Sequence, residues 1–385
     1  MNRIDSDNVL ISATGKRLFT ETIPPTTLSA SWLNQVQEEI MAIEEEGKNV
    51  SLRNSIINLA VKYSKIELQK IISSNLFESA NPKNFVLNDV CWSSTRSMFV
   101  AVGGADGVDA YIATSYDGVT WTERANPKNF TLYSVCWSSS LFVAVGAADG
   151  VDAYVITSPD GINWTERANP KNFGLWCVTW SSASNYFVAV GAADGTDAYI
   201  VTSPDGTNWT ERANPKNFIL YGVTWSSTLS LYVAVGAADG TDAYVVTSPD
   251  GTTWIERVNP KNFYLYKICW ASELSLFLAA GNADGSDAYM VTSPDGITWT
   301  ERANKSNSII FGVCWSGSIF VAVGWADGID AYIITSNDGI SWTEKANLKN
   351  FSLYGICWNG TFFISVGGAD GTDAYILKSL NYRTI

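Results

Sequence analysis

The sequence predicts an all-β fold, a seven-bladed β-propeller of four-stranded antiparallel blades. A tryptophan followed by Thr-Glu, or once by Ile-Glu, recurs at spacings of 43 to 45 residues, at Trp121, Trp164, Trp209, Trp254, Trp299 and Trp342. A second, inner tryptophan recurs at Trp92, Trp137, Trp180, Trp225, Trp270, Trp315 and Trp358. Each repeat holds four short apolar runs bounded by turn residues, without helical periodicity. A repeat of this length and content is typical of one propeller blade.

The elements of one blade follow in order along the chain. In the second repeat, a loop at residues 126–129 leads to an alternating inner strand that ends at Trp137. Two further strands, at residues 143–146 and 154–157, flank Asp149-Gly150. Asp-Gly predicts a hairpin with a type I′ turn, in which both central residues need φ > 0.

A distinctive turn follows the third strand of each repeat. Ser158-Pro159-Asp160-Gly161 leads to the fourth strand at Trp164. The segment resembles the Asp-box of sialidase-type propellers, although it lacks the residue that the family has between Asp and Gly. Copies lie at residues 203–209, 248–254 and 293–299, with looser ones beginning at Ser115 and Ser336. In that family the box is a structural turn between the third and fourth strands, so the resemblance implies a fold rather than an activity.

The two ends of the array predict how the ring closes. The last repeat runs to Ser379 and lacks a fourth strand, whereas residues 76–79 stand before the first repeat where Trp-Thr-Glu-Arg stands elsewhere. We therefore expect this N-terminal strand to complete the last blade and leave no open blade edge. The predicted domains are a helical attachment and oligomerisation segment at residues 1–75 and the propeller at residues 76–385.

Charge and apolar patterning limit the possible partners. The formal net charge is −13, and residues 76–385 carry most of it, with 17 Lys or Arg and 29 Asp or Glu. Nucleic acid is an unsuitable partner because phosphate binding needs a basic face. The N terminus lacks the apolar core of a signal peptide, and no apolar run could span a membrane. We therefore expect cytoplasmic synthesis and no membrane partner.

The six cysteines are predicted to be free thiols. Five of them immediately precede an inner tryptophan: Cys91, Cys136, Cys269, Cys314 and Cys357. Cys177 lies two residues before the same position in its own repeat. Equivalent positions in different blades are too far apart for a disulfide, which needs Cα atoms within about 7 Å. We expect neither a metal nor a redox role for them.

The segment at residues 1–75 predicts two helices after an extended arm and the Pro24-Pro25 turn. Residues 29–46 place Trp32, Val36 and other apolar side chains on one narrow stripe, which suits packing against partner helices. A capping box at residues 64–67 opens a second, short helix. One interpretation is a small cap packed on the propeller, and the other is a module for attachment and oligomerisation.

The same segment resembles the N-terminal part of tail fibre proteins of tailed phages and prophages. Those proteins carry a Pro-rich turn, then Ala-x-Trp-(Phe/Leu)-Asn-x-Val-Gln-Glu-Glu, then Ile-Glu-x-x-Gly, matched here by residues 24–40 and 43–47. A further helix of the family is matched loosely by residues 64–72. The resemblance implies a virion tail or tail-like particle component, made in the bacterial cytoplasm. It implies attachment to other tail or baseplate proteins through residues 1–75, and a homotrimer. Unlike that family, this chain has no long shaft.

Catalysis is not expected. The chain contains no histidine, which excludes His-based triads and His metal sites. Most aspartates recur once per blade, as structural turn residues do. Sialidases need three arginines on one substrate carboxylate, but here the arginines occupy one repeated position and cannot converge: Arg124, Arg167, Arg212, Arg257 and Arg302. We also expect no cofactor and no metal, since Asp-Gly-x-Asp alone offers too few ligands for Ca²⁺.

Ligand binding is the preferred prediction, and the strand order says where. The loops of the Asn-Pro-Lys-Asn type and the Ala-Asp-Gly-x-Asp hairpins fall on one face, here called the upper face. The Asp-box-like turns and the Ser-rich loops fall on the other, the lower face. The upper face therefore carries rings of candidate ligand-binding residues: Asp149, Asp194, Asp239, Asp152, Asp197, Asp242, Lys128 and Asn129. Seven copies suit a repetitive polymer through avidity. The alternative is that these aspartates only build the turns.

Departures from the repeat mark asymmetric candidates. The first blade has Asn88 where other blades have Tyr133 or a similar aromatic residue, and the third has Trp176. Trp325, beside the sixth hairpin, is predicted to be exposed and to contact a sugar, although it could equally pack against the neighbouring blade.

Together these observations predict a tail fibre or receptor-binding protein, not an enzyme, whose propeller binds a host cell-surface polysaccharide. One alternative is a sialidase-like propeller that cleaves glycans. Another is a purely structural decoration or spacer protein of a tail-like particle.

Overall fold

A ring of β-sheets is the dominant feature of the computed structural model, which describes residues 3–4, 10–11, 76–304, 307–326, 328, 330–347 and 349–379. These residues form thirty strands and no helix. Strands β1 (Arg3–Ile4) and β2 (Leu10–Ile11) form a separate antiparallel pair. The helices predicted at residues 29–46 and 64–72 lie outside the described residues. Within the described part of the chain, no helix is long and apolar enough to cross a membrane.

Seven four-stranded antiparallel sheets make up the rest, which confirms the predicted propeller. The inner strands are β4 (Leu87–Ser93), β8 (Leu132–Trp137), β12 (Leu175–Ser181), β16 (Leu220–Ser226), β20 (Leu265–Ala271), β24 (Ile310–Trp315) and β28 (Leu353–Trp358). The second strands are β5 (Met98–Ala105), β9 (Phe142–Ala148), β13 (Tyr186–Ala193), β17 (Leu231–Ala238), β21 (Leu276–Ala283), β25 (Phe320–Ala326) and β29 (Phe363–Ala369).

The outer half of each blade is shorter. The third strands are β6 (Ala110–Ser115), β10 (Ala153–Ser158), β14 (Ala198–Ser203), β18 (Ala243–Ser248), β22 (Ala288–Ser293), β26 (Ala331–Ser336) and β30 (Ala374–Ser379). The outer strands are β7 (Thr122–Glu123), β11 (Thr165–Glu166), β15 (Thr210–Glu211), β19 (Ile255–Arg257), β23 (Thr300–Glu301) and β27 (Thr343–Glu344), and β3 (Leu76–Glu78) for the last blade.

The closing strand lies where the two ends of the array predict it. Strand β3 pairs antiparallel with β30, with Leu76 opposite Ser379 and Glu78 opposite Leu377. The last blade therefore has the order β28-β29-β30-β3, in which a segment before the first blade supplies the outer strand of the seventh. This pairing covers the edge that β30 would otherwise expose.

Aromatic side chains fill the spaces between blades. Phe142, which is fully buried, lies between the inner Trp137, at a ring distance of 4.2 Å, and the outer Trp164, at 6.3 Å. The second and third strands are buried along almost their whole length, as in sheets covered on both faces. The hydrophobic core is thus a series of packed interfaces between neighbouring blades.

A glycine in the second strand lets the chain approach itself closely. A Cβ atom at Gly146 would lie 2.1 Å from the backbone oxygen of Thr131, so no larger residue fits there. The same glycine recurs at Gly103, Gly191, Gly236, Gly281, Gly324 and Gly367, with comparable distances. The position therefore holds the loop before each inner strand against the second strand.

The expected type I′ hairpin turn is wrong. In the turn from Asp149 to Asp152 only Gly150 has a positive φ, of 100°. The Asp149 carboxylate accepts hydrogen bonds from the backbone N–H groups of Val151, at 2.8 Å, and Asp152, at 3.0 Å. Because the side chain takes the place of a backbone acceptor, one left-handed residue is enough to reverse the chain.

All six cysteines are free, as predicted. Burial raises the pKa of the Cys91 and Cys136 thiols well above the usual value. They therefore remain protonated and weakly reactive at neutral pH.

A cavity lies between the sixth and seventh blades, beside the closing strand β3. Leu76 occupies the position that a tryptophan fills in each of the other six blades. The space is lined mainly by apolar side chains, among them Leu76, Val321, Ile356 and Phe363. The smaller leucine leaves it unfilled.

We expect Leu76→Trp to raise the free energy of unfolding by about 1 kcal/mol, because it fills this cavity. Urea denaturation followed by circular dichroism measures the change. Trp254→Leu, the reverse change in the fourth blade, should lower the free energy of unfolding by roughly 2 kcal/mol. If Leu76→Trp were no more stable than the parent chain, the cavity would not be open in solution.

Candidate functional site

A β-bulge in every inner strand aims one side chain toward the channel mouth on the upper face. In the second blade, Leu132 pairs with Gly146 and Ser134 with Val145, which leaves Tyr133 as the extra, unpaired residue. The same shift occurs in the other six inner strands. Bulges commonly redirect side chains next to functional sites.

The bulged residues form a ring of aromatic side chains around the channel, here called the aromatic ring. It consists of Tyr133, Trp176, Tyr221, Tyr266, Phe311 and Tyr354, all of them half-buried. Successive side-chain rings lie 4.2, 5.9, 5.2, 5.7 and 5.3 Å apart between centroids. Asn88 takes the seventh position and donates a hydrogen bond to the backbone oxygen of Leu132 at 2.8 Å. The aromatic ring is therefore interrupted at the first blade.

Two further aromatic residues extend this surface outward on one side only. Tyr264 is 37% exposed and stacks on Tyr266 at 6.2 Å, and Trp325 is 52% exposed and lies 6.0 Å from Phe311. Trp325 is thus exposed, as predicted, and also contacts an aromatic neighbour. The fifth and sixth blades together present a continuous aromatic platform beside the mouth.

Three tyrosine hydroxyls of the aromatic ring, those of Tyr133, Tyr221 and Tyr266, are protonated at neutral pH. Burial, and then the neighbouring Tyr266 and Tyr264, raise the pKa of Tyr221 to about 12. Burial also raises the pKa of Tyr133 and Tyr266. Each of these hydroxyls can therefore both donate and accept a hydrogen bond.

An ion pair crosses the channel just below the aromatic ring. Lys267 Nζ lies 3.4 Å from both carboxylate oxygens of Asp89, although the two residues belong to the fifth and the first blade. Asp89 is 5% exposed and also accepts hydrogen bonds from Ser134 Oγ, at 2.8 Å, and from the Val135 N–H, at 3.2 Å. We refer to the aromatic ring and these contacts together as the cup, with the ion pair as its floor.

Asp89 and Lys267 are the one acidic and the one basic residue of the seven inner strands, all of which the structure describes. Burial lowers the pKa of Lys267, but the Asp89 carboxylate outweighs it and raises that pKa above its usual value. The amine is therefore charged and not nucleophilic. A glycosidase needs two positioned carboxylates, and the channel wall offers one.

The predicted Asp and Lys rings hold the upper loops together. Lys128 Nζ binds Asp149 at 2.6 Å and Glu166 at 2.5 Å. The Asp149 side chain has no exposed surface, and those of Asp194 and Asp239 are 1% and 2% exposed, each with its own lysine partner. In these blades the lysine ammonium contacts two of the three acidic groups that lie close together.

The other predicted residues also make structural hydrogen bonds. Asp152 accepts from the Asn169 N–H at 2.9 Å, and Asp197 and Asp242 accept in the same way from Asn214 and Asn259. Asn129 accepts from the Gly107 N–H of the preceding blade at 3.0 Å. Ligand binding by these side chains stays a prediction, and their contacts here are those of the loops.

Five repeated arginines point away from any common centre. Each donates from Nε to a threonine on the third strand of its own blade, as Arg124 does to Thr114 at 2.9 Å. One arginine per blade at the outer rim cannot form a three-arginine carboxylate site.

Two residues of the cup were missed from the sequence, Asp89 and Lys267. Aligning the repeats shows the available signal, since their position holds Ser134, Cys177, Gly222, Gly312 and Gly355 in the other blades. A single acid and a single base stand among small residues. The two residues meet across the channel only because the ring closes, and a local sequence pattern does not predict that contact.

Comparison with known proteins identifies the fold alone. No protein-family model and no curated sequence matches the chain. Among solved structures, YCF48 bound to a D1 peptide is similar with a TM-score of 0.60, 14% identity, and coverage of 80% of this chain and 96% of that one. The WD40 propeller domain of Doa1 is similar with a TM-score of 0.59, 13% identity, and coverage of 80% and 98%. A GH74 enzyme of Niastella koreensis has a TM-score of 0.60, 14% identity, and coverage of 78% of this chain and 55% of that one.

We expect acid to unfold the propeller partly through the hairpin aspartates. The hydrogen bond from Lys261 lowers the pKa of Asp284 from 3.8 to about 2. Because the folded value lies below the unfolded one, this stabilisation is complete above pH 3.8 and is lost as the pH falls toward about 2. Asp284→Asn should therefore show a smaller fall in melting temperature between those pH values.

Asp287, in the same hairpin, is the matched control of opposite sign. Burial raises its pKa, so its charged form opposes folding at neutral pH. Asp287→Asn should leave the acid-induced fall as large as in the parent chain or larger. Identical profiles for the two variants would contradict the assignment.

Proposed function

We propose that this protein binds a cell-surface glycan at the channel mouth of its upper face and does not cleave it. The aromatic ring, with its extension over Tyr264 and Trp325, is the observation that carries the proposal. Aromatic side chains arranged around a concave mouth bury the apolar faces of sugar rings, and tyrosine hydroxyls and Asn88 can bond to sugar hydroxyls. A protein with a formal net charge of −13 suits such a ligand better than nucleic acid, because phosphate binding needs a basic face.

The tail fibre resemblance of residues 1–75 supplies the biological setting of the proposal. In this setting residues 1–75 attach the chain to tail or baseplate proteins of a virion or tail-like particle, and the propeller meets the host. A homotrimer would present three cups to one surface and gain avidity for a repetitive polysaccharide. The protein would be made in the bacterial cytoplasm and assembled there.

Two other functions fit less well. A sialidase-like enzyme would use converging arginines and paired carboxylates, and the described blades separate the first and offer one channel carboxylate instead of the second. A structural spacer would have no use for a break in sevenfold symmetry that gathers aromatic residues over two adjacent blades.

A glycan array and a whole-cell binding assay with the full chain test the proposal. Saturable binding without release of sugar supports it, and release of sugar supports the enzyme instead. Absence of binding to every glycan and cell would leave a structural protein.

We expect Trp325→Ala and Tyr266→Ala each to weaken glycan binding about tenfold or more, because truncating a central aromatic residue removes most of its contact surface. Isothermal calorimetry with the array hit measures the change. Tyr116→Ala is the matched control, since Tyr116 is 63% exposed but lies in a turn on the lower face. An equal loss in the control would move the site away from the channel mouth.

We expect the full chain to be a trimer that depends on residues 29–46. Val36→Glu places a charge in the predicted apolar stripe and should give monomers by light scattering, with the propeller still folded by circular dichroism. The conservative Val36→Ile should remain trimeric. A monomeric parent chain would contradict the oligomerisation role.

A further inference from the structure

We propose that Asp89 and Lys267 recognise the terminal unit of a neutral glycan, which enters the cup end-on along the propeller axis. This inference rests on the proposed function, because the aromatic ring must first hold a glycan. Beyond that function, the protein would recognise the terminal sugar unit of the glycan and would prefer a neutral unit.

The position of the pair is the first argument. The two residues lie on β4 and β20, on opposite sides of the ring of blades, and their side chains meet across the channel. At the same level the other blades carry only small side chains or glycine. A Cβ atom at Gly355 would lie 2.6 Å from the Asp89 Cα, so the wall there has no room for a larger residue. At this level a ligand that enters from the mouth would therefore meet the charged groups of the pair.

The geometry of the pair is the second argument. Lys267 Nζ is 3.4 Å from each Asp89 oxygen, longer than the roughly 2.7–2.9 Å of a close ammonium–carboxylate bond. The lysine side chain is 22% exposed and the aspartate side chain 7%. Asp89 Oδ2 also accepts hydrogen bonds from Ser134 Oγ and the Val135 N–H of the second blade, whereas the contact shown for Oδ1 is the one with Lys267. A sugar hydroxyl can donate to Oδ1 and accept from Nζ at the same time.

The opposite charges set the selectivity. A carboxylated sugar placed against this floor would face Asp89, whose position is fixed by two hydrogen bonds. An amino sugar would face the Lys267 ammonium. A charged sugar of either sign is therefore repelled by one member of the pair, whereas a neutral sugar hydroxyl can form hydrogen bonds with both.

The surroundings of the pair indicate the direction of entry. The aromatic ring is interrupted at Asn88, the residue directly before Asp89, so it offers no aromatic surface for stacking on that side. Tyr266, directly before Lys267, connects to the outward platform of Tyr264, Phe311 and Trp325. A glycan whose last unit reaches the floor therefore leaves the cup across the fifth and sixth blades.

Calorimetry on the full chain with seven defined oligosaccharides tests the inference. The neutral probes are cellotriose, maltotriose, mannotriose, galactotriose and N,N′,N″-triacetylchitotriose, and the charged ones are trigalacturonic acid and the glucosamine trimer. The parent chain should bind at least one neutral probe and neither charged one. Asp89→Asn should weaken neutral binding about tenfold or more and gain affinity for trigalacturonic acid. Lys267→Met should weaken neutral binding equally and gain affinity for the glucosamine trimer.

Removing one partner of a buried ion pair destabilises a protein, so folding is checked for each variant by circular dichroism and thermal melting. The double variant Asp89→Asn/Lys267→Met leaves no unpaired charge and keeps the test usable if a single variant unfolds. It should be folded and bind every probe weakly. Arg96→Met, an exposed change on the lower face, is the control and should bind as the parent chain does.

The reciprocal change in charge preference is a result that a purely structural ion pair would not produce. Unchanged affinities in folded single or double variants, preference of the parent chain for a charged probe, or binding of none of the probes would overturn the inference. The proposed function is judged separately, because the glycan array and the Trp325 and Tyr266 variants do not depend on the floor.

Discussion

Closure of the ring is the constraint on which the rest of the structure depends. Each blade buries its two faces against its neighbours, so the set is stable only when the last blade meets the first. The pairing of β3 with β30, through three residue pairs, completes the last blade with a strand that precedes the first blade in the chain. Asparagine side chains reinforce the contact between the seventh and first blades, since Asn84 accepts a hydrogen bond from the Gly371 N–H as Asn129 accepts one from the Gly107 N–H between the first and second blades, both at 3.0 Å.

Closure also explains why the candidate site lies where the blades depart from symmetry. The repeated groups, such as Asp149, Lys128 and Arg124, are consumed in holding loops and strands in every blade. The residues that occur once do not take part in these repeated contacts. Asn88, Asp89, Lys267 and Trp325 differ from their counterparts, and all of them lie at or just below the channel mouth. A symmetric scaffold thus carries an asymmetric cup.

The fold was predictable because the same pattern of strand and turn residues recurs in each blade. Alternating strands, turn residues and one large aromatic residue per interface leave few other architectures, and residues 76–79 resemble the missing strand closely enough to place it. The turn type at Asp149-Gly150 was not predictable from the dipeptide, since the aspartate side chain replaces the second left-handed residue. Exposure of Trp325 followed from its place beside a hairpin. The Asp89–Lys267 contact could not be predicted, because 178 positions of chain separate the two residues and only the closed ring brings them together.

The pairing of β3 with β30 in the last blade has a mechanical consequence. Under the proposed function, an anchor at residues 1–75 and a host bound at the upper face would pull the propeller from two ends. The chain enters the propeller at Leu76, so tension from the anchor reaches the sheet first at the outermost strand of the seventh blade. That strand is short and lies over an underfilled interface, whereas the other outer strands are covalently continuous with their own blades. Under load the ring would open there before any other blade is disturbed, and Leu76→Trp would raise the force required.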